Sequence, residues 1–136
     1  MAFTNTDDVV KYIKDEGIEF LDIRFTDVPG TEHHFTLPAS AFDEEAAKAG
    51  MAFDGSSIRG FTTIDESDMV LLPDAGTAYL DPFFADPTIV LTCDILDPAT
   101  MQSYERDPRG IAKRACLLYT SPSPRDATLS RMPSSA

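Results

Sequence analysis

Asp54-Gly55-Ser56-Ser57, followed by Gly60 and then by Glu66 and Asp68, is where residue type and spacing come nearest to chemistry. A carboxylate can hold a cation or take a proton. Hydroxyls beside it can hydrogen-bond within a loop, and Gly55 and Gly60 let the backbone turn tightly. Taken alone, the tetrapeptide favours an Asx-type turn with no chemistry, because a short aspartate side chain readily bonds backbone two residues on. Glu66 and Asp68 have a competing reading as exposed loop acids, since carboxylates ordinarily sit at the surface.

The other reactive side chains point to structure. His33 and His34 are adjacent in a strand-like stretch, so they face opposite sides and cannot both reach one metal ion; they read as surface or core histidines. Cys93 lies in the apolar run Thr88 to Ile95 and reads as a buried strand thiol. Cys116 is the second cysteine, and nothing calls for a bridge between the two.

The formal charge of -12 argues against nucleic acid and anionic membrane as partners, because phosphate contacts need clustered Lys and Arg. No apolar stretch approaches the roughly 20 residues of a membrane span. The first residues, Met1 to Asp8, carry acid where a secretory signal starts basic. The expected location is the cytoplasm.

These residues need a scaffold. Thr6 with Asp7 and Asp8 predicts a helix start, Val9, Val10 and Ile13 share one face, and Gly17 ends the helix. Ile18 to Phe25 reads as a strand in which Leu21 breaks the alternation, implying a bulge or burial on both faces. Asp27-Val28-Pro29-Gly30 is a turn, and Thr31 to Leu37 is its hairpin partner, with His33, Phe35 and Leu37 on one side. Ser40 with Asp43 resembles a capping box ahead of a short helix, Phe42 to Ala49, ended by Gly50. Met51 to Asp68 shows neither period and is expected to be a long loop, of the kind that is usually functional. Strands are expected at Met69 to Leu72, Thr77 to Leu80 and Thr88 to Ile95, giving an α+β domain of about five strands and two helices. Asp107-Pro108 opens a further helix, Arg109 to Ala115.

Phe53-Asp54-Gly55-Ser56-Ser57-Ile58-Arg59-Gly60-Phe61, with Glu66-Ser67-Asp68-Met69, closely resembles the signature loop of prokaryotic type I glutamine synthetases. The resemblance extends to LDIRFTDVPG ending at Gly30, to HHFTLP at His33 to Pro38, and to YERDPRGIAKRA at Tyr104 to Ala115. It covers nearly all of Met1 to Ala115. Cys116 to Asp126, CLLYTSPSPRD, and Ser130 to Ala136, SRMPSSA, resemble instead a translated sequencing-library adapter.

The resemblance implies a ubiquitin-like β-grasp domain over residues 1–102, with loop 51–68 entering an active site. It further implies the start of a catalytic domain at 103–115. The adapter resemblance implies that 116–136 is a non-native tail, and its Ser- and Pro-rich composition without periodicity is expected to leave it disordered. In that family ATP activates glutamate as γ-glutamyl phosphate and ammonia displaces the phosphate. Asp54 matches the aspartate that binds and deprotonates ammonium, Ser57 matches a neighbour at the ammonium site, and Asp68 matches a residue that orders the loop. Arg59 is left without a role. The implied partner is the catalytic domain of a neighbouring subunit in a dodecameric homo-oligomer, with ammonium and glutamate as substrates. Mg2+ or Mn2+ and ATP would belong to the complete enzyme, with no cofactor bound by this chain, which alone is expected to be inactive. The alternative is a stand-alone β-grasp interaction module without catalysis.

Overall fold

The computed structural model describes residues 2–61 and 68–120. Helix α1, Thr6–Asp15, is capped by Asn5, whose side chain accepts from the Asp8 amide at 2.9 Å. The expected cap, Thr6, is instead the first helical residue; asparagine is the stronger cap and stands one position earlier. Asp7 and Asp8 then sit in the first turn, where the helix dipole favours negative charge. Gly17, at φ +64, lets the chain leave the helix.

Strands β1, Phe20–Thr26, and β2, Glu32–Pro38, pair antiparallel without interruption from Phe20↔Pro38 to Thr26↔Glu32. β2 alternates half-buried and exposed residues as an outer strand should, with His33, Phe35 and Leu37 inward. In β1, Leu21, Asp22 and Ile23 are all fully buried and no bulge interrupts the ladder. The broken alternation therefore reflects burial on both faces.

Helix α2 spans Glu44–Ala49, and its cap is Asp43, which accepts from the Ala46 amide; Ser40 belongs to a separate short 3-10 turn, Ala39–Ala41. Strand β3, Met51–Asp54, comes at once after it. The expected long loop therefore begins with a strand. β4, Asp68–Pro73, and the two-residue β5, Tyr79–Leu80, precede β6, Thr88–Leu96. Residues 75–77, expected to open a strand at Thr77, form a 3-10 turn capped by Asp74.

The six strands form a mixed sheet of order β2-β1-β6-β4-β3, with β5 continuing along β6 where β4 leaves it. Among the described residues, the β1–β6 pair alone is parallel. β6 is central, and Thr88 to Leu91 are buried on both faces, which explains why its sequence is a continuous apolar run. Val9, Val10 and Ile13 of α1 are buried in the same hydrophobic core as Leu21, Ile23 and Phe25. The architecture is α+β, a β-grasp domain, as expected, with one strand more.

Helix α3 runs Pro108–Thr120, past the expected end at Ala115. Leu117 and Leu118 favour helix and carry it beyond Ala115. Cys116 to Thr120, expected to be irregular, are thus helical and exposed. Residues 121–136, the rest of the expected tail, lie outside the described residues. Among the described residues, no helix is long and apolar enough to cross a membrane.

Candidate functional site

The turn from α2 into β3 depends on Gly50, at φ +84, where a Cβ would stand 2.5 Å from Val70 Cγ1 and 2.8 Å from the Leu71 carbonyl oxygen. Only glycine tolerates both the conformation and the contact. β3 then pairs antiparallel with β4, from Met51↔Leu71 to Asp54↔Asp68. Met51 and Phe53 pack inward against the core, which turns Ala52 and Asp54 outward. Asp54 and Asp68 are therefore opposite each other at the last rung of this pair, both exposed.

The Asp54 carboxylate also shapes the turn that leaves β3. Its Oδ1 accepts from the Ser56 amide at 2.9 Å and from the Ser56 hydroxyl at 2.6 Å, capping the 3-10 turn Gly55–Ser57. The Asx-type turn is real, and it orients the carboxylate while leaving the residue exposed. Gly55 is buried beneath the turn, whose closing bond runs from the Ile58 amide to the Gly55 carbonyl at 3.1 Å. Ser57 is exposed at the end of that turn. Asp54, Ser57 and Asp68 are thus gathered at one open end of the sheet. Glu66 lies outside the described residues, and Arg59 is exposed on the loop.

The far end of the loop is held by residues to which sequence reasoning gave no role. Phe61 is buried, with the Tyr104 ring edge-on against it at 5.5 Å between centroids. Arg106 Nη1 donates to the Phe61 carbonyl at 2.7 Å. Tyr104 and Arg106 both sit in the YERDP segment, but nothing local signals a partner so distant in sequence.

His33 and His34 separate as strand geometry requires, each bonded to its own aspartate. His33 Nε2 lies 2.8 Å from Asp27 Oδ2, and His34 Nδ1 lies 2.7 Å from Asp22 Oδ1. The His33 hydrogen bond holds the Asp27 carboxyl below the usual carboxylate range. Cys93 is fully buried, and desolvation pushes its thiol up to about 12, so it is not a nucleophile. Both cysteines are free. Among the described residues, no group of three or more His, Cys, Asp or Glu side chains could hold a metal ion.

Residues 17–98 match the family model for the glutamine synthetase β-grasp domain. The chain is 59% identical over 108 residues to a glutamine synthetase of Methylococcus capsulatus, covering 79% of this chain and 23% of that protein. It is 52% identical over 108 residues to a 3-hydroxylaminophenol mutase of Cupriavidus pinatubonensis, again covering 79% of this chain and 23% of the relative. The fold is similar to that of a Plasmodium falciparum glutamine synthetase solved by cryo-electron microscopy, with a TM-score of 0.78 at 25% identity, over 85% of this chain and 22% of the other. The chain spans about a quarter of the length of the curated relatives it matches.

Proposed function

Because this chain belongs to the glutamine synthetase β-grasp domain family, we propose that its loop supplies the ammonium site of a glutamate–ammonia ligase. The observation that carries the reading is the exposed, turn-oriented carboxylate of Asp54, facing Asp68 at the last rung of β3 and β4. Two exposed carboxylates on facing strand positions give this end of the sheet a negative potential that attracts a small cation. Ammonium is a cation of the right size and hydrogen-bonding capacity.

The chemistry gives Asp54 its task. Ammonium is the abundant species near neutral pH, yet only neutral ammonia has a lone pair. Asp54 attracts the cation and accepts one proton from it. The lone pair released attacks the carbonyl carbon of γ-glutamyl phosphate, the carbon–oxygen bond to phosphate breaks, and the further proton that the nitrogen sheds in becoming an amide leaves with the phosphate as hydrogen phosphate. Ser57 contributes a hydroxyl near the same cation, and Asp68 keeps the local potential negative. Proton transfer to a positioned base contributes roughly 100- to 10,000-fold to such a step.

ATP, the divalent metal and the glutamate pocket belong in this reading to a catalytic domain outside this chain. The loop enters that domain in a neighbouring subunit of a dodecamer. The relative named as a mutase is a reason to rest the assignment on the loop's chemistry. The test is to replace the matching domain of a complete glutamine synthetase with residues 1–115 and measure glutamine formation from glutamate, ammonia and ATP. Retained turnover supports the reading. A well-assembled oligomer that forms γ-glutamyl phosphate but does not respond to ammonia contradicts it.

A further inference from the structure

Among the described residues, the loop that carries Asp54 is anchored at two places. One is the β3–β4 ladder, which ends at Asp54↔Asp68. The other is Phe61, whose amide donates to the Ile58 carbonyl at 3.2 Å, closing a turn through Gly60 at φ +86. Val28 from the β1–β2 turn packs against Gly60 so closely that a Cβ there would lie 2.8 Å from Val28 Cβ.

The Phe61 anchor is gripped from the segment leading into α3. The Phe61 side chain is 4% exposed and meets Tyr104 in a T-shaped contact, with ring planes at 76°. Arg106 reaches over it, and Nη1 donates to the Phe61 carbonyl at 2.7 Å and to the Gly60 carbonyl at 3.4 Å. The gripping segment is itself fixed to the sheet. The Tyr104 amide donates to the Ile95 carbonyl at 2.8 Å, and the buried Asp107 carboxylate accepts from the Ile95 amide at 2.9 Å. A rigid strand end thus holds a tyrosine and an arginine, and these hold the loop across 45 residues of sequence.

We propose that Arg106, set over the Tyr104–Phe61 pair, is the positioning residue that fixes the loop carrying Asp54 and Ser57, without itself touching ammonium. The proposal rests on the ammonium reading of that loop. The short Gly55–Ser57 turn lies between the two anchors, so freeing Phe61 gives the turn room to pivot about the end of β3. A guanidinium holds two adjacent carbonyls with directed N–H groups, which a lysine ammonium does less well. Arg106→Lys therefore retains part of the hold and Arg106→Ala none.

The first measurement is hydrogen exchange in the 136-residue chain. Arg106→Ala should speed exchange of the Ser57, Ile58 and Phe61 amides by about tenfold, the effect of losing one charge-assisted hydrogen bond. Exchange within β1 and β6 should not change, and Arg106→Lys should fall between. The second measurement is made in the complete enzyme carrying this domain. There Arg106→Ala should raise the KM for ammonium by about tenfold while the KM for glutamate stays within about twofold.

Unchanged exchange at 57–61 would overturn the clamp. Faster exchange with an unaltered KM for ammonium, in an enzyme where Asp54→Asn does impair ammonia use, would overturn Arg106 as a positioning residue. If Asp54→Asn also leaves ammonia use intact, the ammonium reading has failed, and faster exchange alone still supports the clamp.

Discussion

Asp54 and Asp68 are cross-strand partners at the last rung of the β3–β4 pair, with both carboxylates exposed. Like charges directly opposite each other tend to weaken a strand pair, and the same two charges supply the negative potential that the proposed ammonium site needs.

Asp68→Asn should separate the two effects. Removing one of the facing charges should leave the unfolding free energy unchanged or raise it by about 0.2 to 0.5 kcal/mol, given the exposure of both groups. In the complete enzyme the same substitution should weaken ammonium by a few-fold through the lost potential. Chemical denaturation and ammonium titration check the two halves, and a clear loss of stability would mean that Asp68 is structural.

Gly60→Ala tests the turn at the loop's far end. Alanine must adopt φ +86 and place its methyl 2.8 Å from Val28 Cβ. The cost should be about 1 to 3 kcal/mol, seen as a thermal midpoint lower by several degrees. An unchanged midpoint would show that the turn is not held as described.

How much of the fold and the site was legible in the sequence depended on how local the signal was. β2 alternates because one face is half-buried, and β6 is continuously apolar because both faces are covered, so each strand announced itself. β3 did not, since its four residues between Gly50 and Gly55 offer only Met51 and Phe53 as inward positions. The DGSS motif was visible and its resemblance specific. Its pairing with Asp68 was not, because register between β3 and β4 is set by the whole sheet. Arg106 was invisible as a functional residue for the same reason, because its partner carbonyls belong to a loop distant in sequence. The α3 overrun past Ala115 came from helix propensity continuing beyond the point where the resemblance stops.

Asp94 should give the domain an acid-sensitive component of stability. Burial raises its carboxyl, but hydrogen bonds from Lys113 and Arg109 outweigh that and hold it below the ordinary 3.8. A depressed folded pKa means that the stabilisation is complete above the unfolded value of 3.8 and is lost as pH falls through the lower folded value. Asp94→Asn should therefore cost about 1 to 2 kcal/mol at neutral pH. The difference from the unsubstituted chain should shrink as the pH drops below 3.8. Urea unfolding at neutral and acid pH measures it, and a difference independent of pH would contradict the ionic account.

The most direct test of the central claim is Asp54→Asn in the complete enzyme carrying residues 1–115. Asparagine keeps an Oδ1 able to accept from the Ser56 amide, as Asp54 does at 2.9 Å, so the turn survives while the charge and the proton acceptor are lost. The kcat/KM for ammonium should fall by about 100- to 10,000-fold, with formation of γ-glutamyl phosphate from ATP and glutamate much less affected. Losses of less than about threefold in both steps would mean that Asp54 does no more than shape its turn.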